Sequence, residues 1–162
     1  MKLHLIRHGE TNIQSESGKD FDRKLHYDGE QQAVQLGGYL KDKLKVEQVF
    51  CSDAARTART LQLVSEKVEL PIVEYKTDLY LSPLANYLKL IWELEGKEPI
   101  LLVGHNFGIS DLVTYFTGEL IEMQTAEYIC INFELDAWKE TSKGLGTISA
   151  RYRPSTSPGN DI

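Results

Sequence analysis

Short apolar runs alternate along the chain with longer stretches whose apolar residues recur at helical spacing. Residues 3–6 are apolar and lead into Arg7, His8 and Gly9, which reads as a buried strand ending in a turn. Over residues 28–44, Ala33, Leu36, Leu40 and Leu44 line one side of a predicted helix. Residues 46–51 read as a second strand. Residues 54–68 repeat the helical pattern through Ala58, Leu61 and Val64, with Pro71 beyond the end. Leu84, Leu88 and Ile91 mark a third helix, with Gly96 as its stop signal. The run Pro99 to Val103 is the clearest buried strand, and it leads through Gly104, His105 and Asn106 into a helix carrying Ile109, Leu112, Val113 and Phe116. Residues 126–133 and 147–152 read as late strands.

Strands alternating with helices predict a three-layer α/β sandwich with a mostly parallel sheet. The two late strands follow one another without a helix between them, which predicts an antiparallel edge strand. There is no internal repeat. A single domain is expected over residues 1–152, and the Pro-, Ser- and Gly-rich residues 153–162 are expected to be a disordered tail.

Composition narrows this picture. With 41% hydrophobic and 26% charged residues in 162, the chain is long enough to bury a core without disulfides or a structural metal. The net charge of −6 argues against nucleic acid or an anionic membrane as partners. Cys51 and Cys130 both lie in strand-like runs and read as buried small hydrophobes. The N-terminal apolar stretch is too short for a signal peptide and the run 100–103 too short to span a bilayer, so a cytoplasmic location is expected.

Ligands of open α/β sheets bind outside the carboxyl ends of the strands. Arg7 and His8 follow the first predicted strand, Arg56 lies just beyond the second, and His105 follows the third. Two histidines and two arginines thus converge on one sheet edge, a grouping suited to phosphoryl transfer. Arginine offers a permanently charged fork to phosphate oxygens, and neutral imidazole can attack phosphorus. Glu10, Thr11, Asn12, Ser52 and Asn106 are candidate substrate-binding residues, each of which could instead serve as a turn or helix-cap residue.

Two rival chemistries fit the spacing poorly. Cys51 and Arg56 are one residue too close for the Cys-to-Arg interval of cysteine-dependent phosphatases, and Thr57 stands where the arginine would be. No His-x-His, Glu-x-x-His or carboxylate cluster suggests a metal, and the arginines beside the two histidines would repel a cation. No metal or cofactor is expected.

The segment Leu5, Ile6, Arg7, His8, Gly9, Glu10, Thr11 resembles the signature of the histidine phosphatase superfamily, also called phosphoglycerate-mutase-like. Ser52 to Thr60 is similar to that family's Ser-Pro-x-x-Arg-Ala-x-x-Thr segment, and Val103, Gly104, His105 and Asn106 to its later Gly-His element. Asp22 to Gly29 resembles the Arg-Pro-Leu-Thr-x-x-Gly stretch of the short branch typified by SixA phosphohistidine phosphatases. The resemblance runs in order from Lys2 to about Gly118. It implies a phosphoglycerate-mutase-like fold in which His8 is phosphorylated and Arg7, Arg56 and His105 complete the phosphate pocket. Asp53 replaces the usual proline, Thr57 the usual alanine, and Lys24 and His26 the proline and threonine of the short-branch stretch. Larger relatives supply a general acid from a segment after the second helix. Asp78 is the candidate there and Glu10 another, with neither assigned.

The resemblance implies a phosphorylated substrate, and a histidine-phosphorylated protein is the expected one. A small phosphate ester is the alternative. A phosphoglycerate mutase would need insertions this chain has little room for, and a non-catalytic module would not be expected to keep all four residues.

Overall fold

The computed structural model describes residues 1–155. The expected tail from residue 153 therefore falls mostly outside the described residues. Its first three residues are tied to the body: Arg153 pairs with Glu127, and the Ser155 amide donates to Gln35 Oε1 at 3.2 Å.

The apolar runs pair into one six-stranded sheet. Its strands are β1 (Lys2–Arg7), β2 (Gln48–Ser52), β3 (Val73–Lys76), β4 (Ile100–Gly104), β5 (Tyr128–Asn132) and β6 (Thr147–Tyr152). They lie in the order β3-β2-β4-β1-β5-β6. The first four are parallel, while β5 runs against β1 and β6 against β5, so the expected antiparallel pairing occupies one edge.

Four helices cover the sheet: α1 (Tyr27–Leu40), α2 (Ala55–Ser65), α3 (Leu84–Glu93) and α4 (Gly108–Thr117). Successive side chains of a strand face opposite sides. Leu3 and Leu5 of β1 accordingly join Ile91 of α3 and Ile109, Leu112 and Phe116 of α4 in one core. Ile6 joins Leu36 and Leu40 of α1 and Leu61 and Val64 of α2 in the core on the other face. The result is a three-layer sandwich.

Two elements differ from the sequence reading. Strand β3 was not expected; it is a four-residue edge strand, and Glu74 and Tyr75 within it are exposed, which leaves little apolar pattern to read. Helix α1 stops at Leu40, four residues before the expected end: Lys41 leaves the helical backbone with ψ of 131°, and Asp42 follows with a left-handed φ of 62°. Leu44 is buried all the same, which is why it fitted the helical pattern.

Both cysteines are free and buried. Burial pushes the Cys51 thiol well above its ordinary range, so no thiolate nucleophile is available there. Among the described residues no helix is long and apolar enough to cross a membrane, and no group of three or more His, Cys, Asp or Glu residues is placed to hold a metal ion.

Candidate active site

Because β1, β2 and β4 are parallel neighbours, their carboxyl ends share one edge. Arg7 ends β1 in register with Gly104, and Cys51, just before Ser52, is in register with Val103. His8 follows β1, His105 follows β4, and Arg56 sits in the first turn of α2. The sheet thus gathers the four residues singled out by sequence.

His8 is buried, and its Nδ1 lies 2.7 Å from the carbonyl oxygen of Gly9. A carbonyl can only accept, so Nδ1 carries the proton and Nε2 keeps its lone pair. Burial lowers the His8 pKa to about 3, with His105, Arg56 and Arg7 acting in the same direction against the Gly9 hydrogen bond. The ring is therefore a neutral imidazole at neutral pH, the protonation state a nucleophile requires.

The His105 ring lies 5.2 Å from that of His8, centroid to centroid. Its Nε2 is 2.8 Å from Ser52 Oγ, and its Nδ1 is buried without a partner. Burial, followed by Arg56, lowers its pKa to about 3 as well. Arg7 donates from Nη1 to the Met123 carbonyl at 2.8 Å, while its buried Nε has no partner. A buried donor left unpaired is costly unless a ligand satisfies it. Arg7 Nε is such a donor, and His105 Nδ1 is a second buried polar atom without a partner beside the same neutral imidazole, an arrangement suited to an anion.

Arg56 is buried and donates from both terminal nitrogens to Asp20, from Nη1 to its backbone carbonyl at 2.8 Å and from Nη2 to its carboxylate at 3.0 Å. Arg59 faces elsewhere, with its Nε 2.9 Å from Glu30 on α1 and its Nη1 on Gln62. Thr60, one turn after Arg56, accepts from the Gly9 amide at 3.0 Å and so ties the His8 turn to α2.

The remaining candidates are mostly engaged elsewhere. Thr11 and Asn12 pair with the 23–25 segment: Thr11 Oγ1 accepts from Arg23, and the Asn12 amide donates to the Lys24 carbonyl. Glu10 is exposed, and its backbone is held by Gln32 and His26. Asn106 does not cap α4, whose first flanking residue is Phe107; its side chain instead bonds the Met123 carbonyl and Ser110. Ser52 Oγ accepts from the Ala54 amide at 3.3 Å while meeting His105, so it serves both the turn and the site.

Asp78 lines a surface cavity with Lys76, Leu79, Asn86, Lys89, Leu90 and Glu93 that includes none of the four central residues. His26, standing where the short-branch stretch has threonine, caps α1 by accepting from the Asp28 amide. Asp53, in place of proline, accepts from Thr77 at 2.6 Å.

Sequence reasoning missed Asp20 and Tyr80. Asp20 lies in a 3-10 turn (Asp20–Asp22) and Tyr80 closes another (Thr77–Leu79). The Tyr80 hydroxyl donates to the Asp20 carboxylate at 2.5 Å, and its ring meets His105 edge-on at 5.6 Å. The hydrogen bond from Tyr80, followed by those from Arg23 and Arg56, holds the Asp20 carboxyl well below the usual carboxylate range. The only sequence signal was the position of Asp20 three residues before Arg23.

Comparison with known proteins decides the family. The profile of the histidine phosphatase superfamily (branch 1) matches residues 3–79. The uncharacterized phosphatase PhoE of Bacillus subtilis is 39% identical over 174 aligned positions, which cover 83% of this chain and 90% of PhoE. The chain belongs to the histidine phosphatase superfamily. It is accordingly a phosphatase with histidine-based catalysis. Its fold matches that of the protein histidine phosphatase SixA complexed with tungstate at a TM-score of 0.81 and 22% identity, covering 95% of this chain and 97% of that one. A structure assigned as phosphohistidine phosphatase SixA from Nakamurella multipartitia gives a TM-score of 0.82 at 22% identity, covering 94% and 95%. This superfamily fold is the phosphoglycerate-mutase-like one expected from the sequence.

Proposed function

We propose that this phosphatase removes phosphoryl groups from histidine side chains of proteins, through a phosphohistidine formed on His8. Nε2 of His8 attacks phosphorus, the bond to the leaving nitrogen breaks, and water then hydrolyses the phosphoenzyme to orthophosphate and free His8. Arg7, Arg56 and His105 hold the phosphoryl oxygens through both steps. The observation that carries this reading is the pinned tautomer of His8, with Nδ1 on the Gly9 carbonyl and Nε2 free.

Two features support a P–N substrate. Two carboxyl groups are not placed to protonate an alkoxide: Asp20 is held ionised, and Asp78 lines a different cavity. An imidazole leaves more readily without such help. The chain also matches SixA folds over nearly its whole described length, so little of it remains to build a lid over the site.

The test compares kcat/KM on a histidine-phosphorylated protein with that on sugar phosphates and aryl phosphates. Preference for the phosphoprotein is expected. Preference for an ordinary ester would defeat this substrate and leave the His8 step standing. Acid-labile label should form on the wild type and be absent from His8→Ala.

A further inference from the structure

Asp20 places a fixed negative charge against Arg56. Its carboxylate Oδ2 accepts from Arg56 Nη2 at 3.0 Å and from the Tyr80 hydroxyl at 2.5 Å, and its Oδ1 accepts from Arg23 Nη1 at 3.0 Å. Three segments thus converge on one side chain: the turn beginning at Asp20, helix α2, and the turn closed by Tyr80. The same three donors keep the carboxyl ionised. Arg23 offsets part of the charge, but on the far oxygen, and its other nitrogens are engaged by the Asn12 carbonyl and the Thr11 hydroxyl. Arg56 is almost fully buried while the Asp20 side chain is 42% exposed, so bulk water reaches the contact from the Asp20 side and not from all sides.

A phosphoryl group on Arg56 therefore lies beside a carboxylate that the fold holds in place. Like charges so placed repel, and the repulsion grows with the charge the ligand brings. A specific site can reject a competitor by such a device without improving its contacts to the preferred ligand. We propose that Asp20 is a specificity-determining residue, which disfavours substrates bearing a second anionic group next to the phosphoryl group and favours those with a neutral or cationic leaving group. The proposal rests on the placement of the phosphoryl group at Arg56 and not on the leaving group being histidine.

The test uses the full chain and Asp20→Asn, which keeps an oxygen acceptor for Arg56 and Tyr80 while removing the charge. kcat/KM is measured on 3-phosphoglycerate, whose carboxylate lies near the phosphate, and on p-nitrophenyl phosphate. The ratio of the first to the second should rise by about tenfold in the variant, carried by KM. Orthophosphate binding, measured by calorimetry, should tighten in the same variant, and that reading survives if turnover is lost. Equal loss on both substrates with unchanged phosphate affinity would make Asp20 a mere support for Arg56 and overturn the proposal. Tighter phosphate with an unchanged ratio would make it a competitor without selectivity and overturn it as well. Error in the underlying placement would show separately, as orthophosphate binding that Arg56→Ala leaves untouched.

Discussion

Ser52 Oγ lies 2.8 Å from Nε2 of His105 and accepts a hydrogen bond from the Ala54 amide. With an N–H already directed at its oxygen, the serine hydroxyl has its own proton to give, and Nε2 of His105 is the acceptor in reach. Donation of that proton to Nε2 would put the proton of His105 on Nδ1, the buried nitrogen left without a partner. In that arrangement Ser52 would act as a positioning residue that keeps His105 Nδ1 a donor.

Replacing that hydroxyl should free the tautomer. Ser52→Ala is expected to lower kcat by about 10–100-fold with the smaller change in KM, since one donor to the transition state is weakened and not removed. Nitrogen NMR of His105 should move from the Nδ1–H tautomer toward a mixture. A purely structural role would lower stability and leave the tautomer as it was.

Arg56 and Arg59 lie one turn apart on α2 and differ in what they face. Arg56 is buried beside His105 and Tyr80, whereas Arg59 is bonded to Glu30 on α1. Arg56→Ala should reduce turnover by about two to three orders of magnitude, the size seen when a donor to developing charge is deleted. Arg59→Ala should leave turnover within about twofold, because an exposed ion pair contributes little. The reverse ranking in steady-state kinetics would place the phosphate elsewhere.

The turn that carries His8 packs directly on the start of α1. A Cβ on Gly29 would lie 2.0 Å from the Glu10 carbonyl oxygen, and one on Gly9 would lie 2.6 Å from that of Gly29. Both obstacles are backbone, so neither can swing aside. Gly29→Ala should cost about 1–3 kcal/mol of stability, as overpacking does. Displacement of the nucleophile should also cut kcat by about a hundredfold in the surviving folded fraction. Full activity in a folded Gly29→Ala protein would show that the turn tolerates a shift.

The legibility of these features in the sequence follows from how local they are. Arg7 ends a buried strand and His8 and His105 stand directly after one, where apolar runs and a glycine mark both the strand and its end, and Arg56 is in the first turn of the helix after the second. The parallel order of β1, β2 and β4 then brings them together without further information. Asp20 meets Arg56 across 36 residues, through the path of a segment with no periodicity, so its place three residues before Arg23 was too weak a signal to announce it. Asn106 looked like a cap because it precedes a helix, but the chain spends its amide on the Met123 carbonyl, a contact set by a loop 17 residues away. Strand β3 escaped notice because an exposed edge need not alternate apolar and polar residues.

Three buried histidines give the protein a pH response with a definite sign. Burial, the leading cause in each case, lowers the pKa of His8 and His105 to about 3 and that of His4 to about 4, all from an ordinary 6.5. As pH falls below 6.5, the unfolded chain takes up a proton at each position that the folded chain refuses. The unfolded state then binds more protons, so stability is full above about 6.5 and is lost as pH falls toward 3–4. Each histidine contributes a slope of up to about 1.4 kcal/mol per pH unit, and the three together up to about 4. Asp20 acts in the same sense but lower, below its ordinary carboxylate range. Denaturant titrations of the wild type between pH 7 and pH 4.5 should show this steep acid loss, and His8→Gln should reduce the slope by roughly one proton's worth. In the folded wild type the ring signals of His8 and His105 should not titrate between pH 8 and pH 5. A midpoint for either ring near 6.5, or an unaltered slope in His8→Gln, would show that the site holds these imidazoles less dry than their burial implies, and would remove the basis for a nucleophile that is neutral across the working range.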